Sequence, residues 1–533
     1  MRISSSAGLL FSLVGFGVSG LLACGGEDTK ETATSTTTST TGTGGATSTT
    51  TSTMGTGGDT STSTMGTGGA TGQGGAMGQG GATGQGGAGG AGGAGGGGGS
   101  GPAALKGFFY WGDFASNGLK ELALFAVPEA MHIPIALPGV KQIDVFYEIA
   151  QSHDGKKLAM ALSADGGKPK VFVGNADGTG EAIVVADFTG AGNATNLELT
   201  NLAWSPNDMS LAFRLDAATN GQHLVHVVPA DGSQTTAKLV TPSPTATQEA
   251  SPSLTWADNT HLAVVGDFAV DNSLNLFLTD TMAAVPALTA VIDASMLNVS
   301  TKLVKPGVQT GADGKLYFLS SHATGKTYLY AADANGMNVG LVAAAASVKN
   351  GQVQAELTNF ALSPDAMSVA FGANELQDGL VQLFTAPLAA QTATKITAFT
   401  MPPAMGESSG PSSSTTNAIV WRPDGMMLGV IADWKVAMAD ADNDYAAFVV
   451  PTTGNPAPVR VASATLPTAS KNVAQLAFSG DSTYLAILGD LAVKNDTEFY
   501  STVDFTTADQ QPVAIRTKGV VAGGDIEGIS VLR

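Results

Sequence analysis

Cysteine is almost absent from this chain, since Cys24 is the only one among 533 residues. A disulfide within the chain is therefore impossible, and zinc sites built from several cysteines are excluded. The six histidines are scattered. His223 and His226 are three apart, but on a strand they would point to opposite faces. The sequence predicts no metal site and no cofactor.

Basic residues are also scarce. The chain has 25 Lys and Arg against 44 Asp and Glu, which gives a formal net charge of −19. Such an acidic chain repels phosphate backbones and anionic lipid head groups, which excludes a nucleic-acid-binding function. The acidity favours solubility in the first place, and a specific cationic partner is the alternative.

Charge is missing from the start of the chain, where none falls between Arg2 and Glu27. The apolar run over 7–23 is too short for a membrane span of about 20 apolar residues and is typical of a secretory signal peptide. We therefore predict that residues 1–23 are a signal peptide and that the chain is exported.

The leader ends in Leu21-Leu22-Ala23-Cys24, which resembles the lipobox of bacterial lipoproteins. The resemblance covers four residues placed directly after the apolar run. It implies cleavage before Cys24, a diacylglycerol on its thiol and a third acyl chain, such as palmitate, on the new amino group. Several acyl chains hold a protein stably at a membrane. An Asp after the cysteine tends to retain Gram-negative lipoproteins at the inner membrane, so Gly25 favours the outer membrane. An ordinary signal peptide cut elsewhere is the alternative.

Residues 24–102 consist almost only of Gly, Thr, Ser and Ala, with repeated Thr-Gly-Gly and Gly-Gln-Gly-Gly units. Without apolar side chains to bury, nothing offsets the backbone entropy lost on ordering. We predict a lipid-anchored, disordered linker with a root-mean-square reach of roughly 50 Å, which exceeds the ~30 Å hydrocarbon core of a bilayer.

Residues 103–533 contain a degenerate repeat, in which a turn centred on Asp or Asn precedes a short apolar strand of mostly large-small-large pattern. The repeats begin that strand at Leu158, Leu211, Leu262, Leu316, Val369, Leu428 and Leu485. A period of roughly 50–60 residues with several short strands per copy is the signature of propeller blades. In the second copy, we expect strands at 199–205, 211–215, 224–228 and 237–240.

Arg422-Pro423-Asp424-Gly425 follows Trp421, and Ser205-Pro206-Asn207 follows Trp204. This pattern resembles the repeat of TolB-type propellers, relatives of WD-repeat propellers, and spans roughly residues 105–533. The resemblance implies an all-β propeller and makes protein–protein contact the expected role.

The two ends of this region indicate how the ring closes. The sequence predicts a strand at 108–111 with no turn before it, and a first strand at 526–532 with no turn after it. We predict that they share one blade, which gives a single ring of eight four-stranded blades and removes an exposed edge. Seven blades are the alternative.

Two motifs resemble a catalytic site and a calcium site, but the flanking residues that such sites need are missing. Gly406-Glu407-Ser408-Ser409-Gly410 matches a nucleophile elbow, but no strand precedes it and no helix follows. Asp440, Asp442 and Asp444 alternate like calcium ligands, but Tyr445 and Pro451 stand where the loop needs Gly and Glu. We therefore predict no catalytic residues here.

Three functions stay open from the sequence, and the third of them is a structural surface protein without a dedicated ligand. The first is a monomeric, lipid-anchored binding scaffold for an envelope or extracellular protein. The second is a propeller enzyme that acts on envelope glycans or peptides. Clustered carboxylates, His or Arg in the central channel would favour catalysis, whereas weakly polar walls would favour binding.

Overall fold

A computed structural model of the chain describes residues 106–532, apart from segments that mostly connect strands. The segments left out are 115–117, 128–130, 136, 138–139, 189–198, 217–222, 242–249, 270–273, 286, 293–303, 322–325, 343–348, 351–352, 355–356, 375–380, 391, 397–417, 433, 435–444, 454–457, 463–472, 490–497, 503–504, 506–512 and 515–524. The predicted leader, Cys24 and the predicted linker lie outside the described residues. Within the part that is described, no helix long and apolar enough to cross a membrane occurs.

The described residues form eight four-stranded antiparallel sheets and no helix, which confirms the all-β propeller with eight rather than seven blades. Each blade is given from its first to its fourth strand. Blade 1 is β34 (Asp525–Leu532), β1 (Lys106–Asp113), β2 (Glu121–Val127) and β3 (Met131–Pro134); blade 2 is β4 (Ile143–Gln151), β5 (Lys157–Ala164), β6 (Pro169–Asn175) and β7 (Ile183–Asp187); blade 3 is β8 (Leu199–Trp204), β9 (Ser210–Leu215), β10 (Leu224–Pro229) and β11 (Lys238–Leu239); blade 4 is β12 (Ala250–Trp256), β13 (His261–Gly266), β14 (Asn275–Asp280) and β15 (Thr289–Ala290).

The second half of the ring repeats this plan. Blade 5 is β16 (Gln309–Thr310), β17 (Lys315–Ser320), β18 (Tyr328–Asp333) and β19 (Gly340–Leu341); blade 6 is β22 (Leu357–Leu362), β23 (Ser368–Asn374), β24 (Val381–Pro387) and β25 (Thr394–Lys395); blade 7 is β26 (Ile419–Trp421), β27 (Met427–Ala432), β28 (Ala446–Pro451) and β29 (Val459–Ala462); blade 8 is β30 (Val473–Phe478), β31 (Leu485–Gly489), β32 (Glu498–Thr502) and β33 (Val513–Ala514). A small extra sheet of β20 (Lys349–Asn350) and β21 (Val353–Gln354), absent from the sequence prediction, stands between blades 5 and 6.

The large-small-large pattern reflects burial on both faces of each blade. In β9, Leu211 and Phe213 belong to an apolar cluster shared with blade 2, whereas Ala212 between them packs in a cluster with Trp256 of blade 4. Successive strand residues point to opposite faces, so one strand supplies both interfaces. Burying each large side chain contributes roughly 1.5–3 kcal/mol.

The predicted turns between first and second strands are built by side-chain hydrogen bonds. In blade 3, the hydroxyl of Ser205 donates to Oδ1 of Asn207 at 2.8 Å, and the same hydroxyl accepts the N–H of Ser210 at 2.9 Å. Asp208 is left-handed with φ 57°, and Gly425 takes the same position in blade 7 with φ 73°. This geometry explains the preference for Asp, Asn and Gly in these turns.

The ring closes where the sequence predicts. The last strand, β34, pairs with β1 in antiparallel register, with Phe108 opposite Val531 and Tyr110 opposite Ile529. Ile526 and Ile529 are buried in a cluster that also contains Tyr110 of blade 1 and residues of blade 8. The two ends of the domain thus complete one blade.

Truncation after Asp525 should lower the melting temperature by many degrees or cause aggregation, because it removes a paired strand and exposes the edge of β1. The milder change Ile529→Ala should cost about 2–4 kcal/mol by leaving a cavity at the seam. Val145→Ala, at an exposed side chain, is the matched control and should cost little. A truncated chain that melts like its parent, as measured by calorimetry or circular dichroism, would contradict the closure.

Candidate binding site at the central channel

The first strands of all eight blades surround a channel with a cavity of about 1190 Å³. Its described wall runs from Ala150 of blade 2 around the ring to Ser530 of blade 1. Pro206, Pro364 and Pro423, which lie in the turns between first and second strands, also line the cavity. We call the channel end at these turns the mouth.

The wall is weakly polar. Its described residues include the aromatic side chains of Trp204, Trp256, Trp421, Phe360 and Phe478 together with the amides and hydroxyls of Gln151, Asn201, Ser253, Gln309, Thr310, Gln475 and Ser530. Among the described wall residues, His153 is the only titratable side chain. A wall of this kind suits recognition through apolar contact and a few hydrogen bonds.

Three wall tryptophans hold neighbouring blades together. The indole Nε1 of Trp204 donates to the carbonyl of Ala150 in the preceding blade at 2.9 Å. Trp256 donates in the same way to Ala203 at 3.2 Å, and Trp421 to Ala361 at 3.0 Å. These are the tryptophans that precede the repeat turns in the sequence. Their indole N–H groups are already used inside the wall.

In a second set of hydrogen bonds, a side-chain oxygen of one blade accepts a backbone N–H of the blade that follows it. The side-chain oxygen of Gln475 in blade 8 accepts the N–H of Ile529 in blade 1 at 3.1 Å, which reinforces the closing seam. In blade 4, the hydroxyl of Ser253 accepts the N–H groups of Gly307 at 2.9 Å and Val308 at 3.1 Å. Both acceptors stand four residues before their turns.

Glu148 occupies this same position in blade 2, and sequence reasoning missed it. Its Oε2 accepts the N–H of Leu202 in blade 3 at 3.1 Å. Burial raises the pKa of the Glu148 carboxyl to about 7, against the opposing effects of backbone hydrogen bonds and of the Arg214 charge. When the repeats are aligned on their turns, Glu148 falls at the position of Ser253 and Gln475. These two uncharged side chains also accept a backbone N–H of the following blade, so the alignment could have identified Glu148 from the sequence.

Asn201 takes the corresponding position in blade 3 but differs in its backbone. A bulge between Thr200 and Ala203 interrupts the pairing of β8 with β9, and Asn201 adopts a φ of 58°. The side-chain oxygens of Thr200 and Asn201 are buried and lack a hydrogen-bond partner. Buried acceptors of this kind need a donor from water or a ligand. Asn201 therefore supplies unused hydrogen-bonding capacity to the channel wall.

At the mouth, adjacent turns are linked through Asp208. Its Oδ1 lies 2.8 Å from the backbone nitrogen of His153 and 2.9 Å from the Nδ1 of the same residue. Its Oδ2 accepts the N–H of Asp154 at 3.0 Å. His153 is thus held against blade 3 at the rim of the cavity.

The remaining sequence candidates do not converge on the channel. His226 is buried on β10, where it stacks on Phe213, and burial lowers its pKa to about 4. His261 lies beside the turn of blade 4 and contacts Asp258 at 2.8 Å. Within the described ranges, no three His, Cys, Asp or Glu side chains group as metal ligands would. The segments 406–410 and 440–444 lie outside the described residues, as do Cys24 and His322.

No family model matches the chain, and no curated protein matches it. Among solved structures, it is similar to TolB from Acinetobacter baumannii, with 15% identity and a TM-score of 0.30 over 54% of this chain and 62% of that one. It is also similar to a putative TolB from Agrobacterium tumefaciens, with 16% identity and a TM-score of 0.32 over 55% of this chain and 88% of that one. An oligogalacturonate lyase from Vibrio parahaemolyticus has 12% identity and a TM-score of 0.42 over 71% and 93%.

The chain spans less than two thirds of the Acinetobacter TolB. The TM-scores are low, so these similarities carry no argument about activity or partners. The propeller fold is assigned from the eight four-stranded sheets and the closing pair of β34 and β1.

The raised pKa of Glu148 predicts a pH-dependent stability. The unfolded carboxyl ionises near pH 4.5 and the folded one near 7, so the parent should lose stability as the pH rises through this window and level off above it. Glu148→Gln keeps the acceptor for Leu202 but does not titrate. At pH 8 it should be more stable than the parent by on the order of 2–3 kcal/mol, and at pH 4 about equal.

Chemical denaturation at pH 4, 6 and 8 measures this difference. Glu121→Gln, at an exposed position on β2, is the control and should follow the parent at every pH. Parallel stability curves for the parent and Glu148→Gln would show that Glu148 ionises normally in the folded chain.

Proposed function

We propose that this chain is an exported, lipid-anchored envelope protein whose propeller serves as a scaffold for binding another protein. The observation that carries the binding role is the channel wall. Its described lining combines aromatic side chains, amides and hydroxyls, and the carboxyl of Glu148, four residues before the turn of blade 2, is engaged between two blades. Such a wall favours recognition over acid–base or nucleophilic chemistry.

The proposed anchoring follows from the sequence. Residues 1–23 direct export, Cys24 receives the lipid, and residues 24–102 form the linker to the propeller of 103–533. Gly25 after the cysteine favours the outer membrane. A linker with a reach of roughly 50 Å separates the propeller from the membrane plane and leaves its ends accessible to a partner.

Cys24→Ala should abolish anchoring, because no thiol remains to accept diacylglycerol. The variant should leave the membrane fraction and appear in the soluble envelope fraction, while the parent should yield an acylated N-terminal peptide by mass spectrometry. Ser19→Ala, within the same leader, is a control and should leave both results unchanged. A Cys24→Ala chain that still fractionates entirely with membranes would disprove the anchor.

Photo-crosslinking in cells tests the binding role. A photoreactive amino acid at His153 or Pro364, both on the mouth side of the channel, should give a discrete crosslinked species that contains a second protein. The control position is Lys141, an exposed residue in the connection between blades 1 and 2, which lies toward the other end of the channel and should give no such species. Absence of crosslinks from both mouth positions would contradict a protein-binding role there.

A further inference from the structure

Among the residues that the structure describes, five methionines are strongly exposed, with 62–74% of each residue accessible. They are Met209, Met282, Met337, Met367 and Met426. One belongs to each of blades 3 to 7, so they follow the ring through five consecutive blades. Isolated exposed apolar residues are ordinary, but a repeated series of the same side chain on neighbouring blades indicates an interaction surface.

All five are held by the same local geometry. Each methionine N–H donates to the side-chain oxygen of an Asp or Asn two residues earlier. The acceptors are Asn207 at 3.1 Å, Asp280 at 2.8 Å, Asn335 at 3.0 Å, Asp365 at 3.0 Å and Asp424 at 2.9 Å. The turn fixes the backbone, while the thioether side chain stays free to adapt. The fixed backbone lowers the entropic cost of binding, and the flexible thioether side chains fit varied apolar groups.

The five side chains share one face of the propeller. In an antiparallel blade, the turn between first and second strands and the turn between third and fourth strands lie at the same end. Hydrogen bonds confirm this, since the residue after the third strand donates to the carbonyl of the methionine in blades 3, 6 and 7. The donors are the N–H groups of Ala230 to Met209 at 2.9 Å, Leu388 to Met367 at 2.9 Å and Thr452 to Met426 at 3.0 Å. We call this end, which surrounds the channel mouth, the methionine face.

The methionine face is also acidic. Its described turns and strand ends contain the carboxylates of Asp154, Asp177, Glu181, Asp208, Asp231, Asp258, Asp280, Asp313, Asp333, Asp365, Asp424 and Asp481. Within the same described turns and strand ends, the basic residues other than histidine include Lys156, Lys157, Lys238, Lys315 and Arg422, so carboxylates are in excess. Lys156 and Arg422 are each paired with an aspartate of their own turn, and Lys238 donates to the carbonyls of Thr281 and Ala283. Hydrogen bonds to Lys156 and Ser152 lower the pKa of Asp154 to about 2, so its carboxylate stays charged at any physiological pH.

We infer that the methionine face docks a cationic amphipathic segment of a partner polypeptide, one that combines apolar side chains with Lys or Arg. The inference rests on the proposed protein-binding function and names the partner's chemistry. Methionines accommodate varied apolar side chains, and the carboxylates select positive charge. The same charge disfavours an anionic membrane surface as the occupant. It also disfavours a second copy docked through this face, because carboxylates would meet carboxylates.

The test uses the full chain carrying Cys24→Ala, so that neither lipid nor detergent competes. The probe is a synthetic 18-residue amphipathic helix of leucine and lysine. Matched control peptides are the same sequence with lysine replaced by glutamate and a scrambled isomer that has no apolar face. Titration by fluorescence anisotropy gives affinities, and brief peroxide oxidation read by mass spectrometry reports the exposure of each methionine with and without peptide.

We expect the leucine–lysine helix to bind most tightly and to slow oxidation of the five methionines severalfold. The variant with Met→Gln at all five positions should lose at least about tenfold in affinity at an unchanged melting temperature. Val145→Gln, at an exposed apolar residue on the first strand of blade 2, should bind like the parent. Equal binding of the control peptides, undiminished binding by the five-position variant, or unprotected methionines would each overturn the inference.

The two proposals fail separately. If the helix does not bind but His153 or Pro364 still crosslinks to a protein in cells, the partner chemistry is wrong and the scaffold role stands. If the mouth positions give no crosslinks, the scaffold role itself is contradicted, whatever the peptide does.

Discussion

The pairing of β34 with β1 is the constraint on which the whole ring depends. A propeller blade buries both faces against its neighbours, so an incomplete blade 1 would expose blades 2 and 8 as well as a strand edge. The closing strand supplies Ile526 and Ile529 to the seam, and Gln475 of blade 8 receives the N–H of Ile529. Apolar packing and a wall hydrogen bond thus act at one junction.

The other junctions use the same plan with different residues. Indole groups donate to the blade before, and side-chain oxygens four residues before the turns accept from the blade after. Many of the polar groups that line the channel are therefore used in hydrogen bonds between blades. The exposed side chains that differ from blade to blade lie on the turns. There, hydrogen bonds fix the backbone while the ends of the side chains stay accessible.

The fold was readable from the sequence because its determinants are local. A few neighbouring residues are enough to identify each determinant. Examples are the turn around Asn207, the large-small-large strand that follows it, and the isolated strand at 526–532. In blade 3, the structure has strands at Leu199–Trp204, Ser210–Leu215, Leu224–Pro229 and Lys238–Leu239, close to the predicted bounds. The fourth strand is shorter than expected, because an outermost strand has a neighbour on one side only.

The channel was not readable in the same way, because its wall takes one strand from every blade. Glu148 appears in the sequence as an ordinary charged residue of a strand, and its perturbed pKa arises only where blades 2 and 3 meet. The strands of two residues, such as β20 and β21, carry too few positions to show a pattern. The methionines do follow Asp or Asn at a fixed spacing, but their common face is a property of the antiparallel connections.

The late position of the closing strand has a consequence for biosynthesis. During translation, β1 leaves the ribosome almost a whole domain before β34, so the ring has no means to close while the chain is still being made. Until then, blade 1 lacks its first strand and the seam to blade 8 stays open. The seam between blades 8 and 1 therefore forms only after β34 has been synthesised.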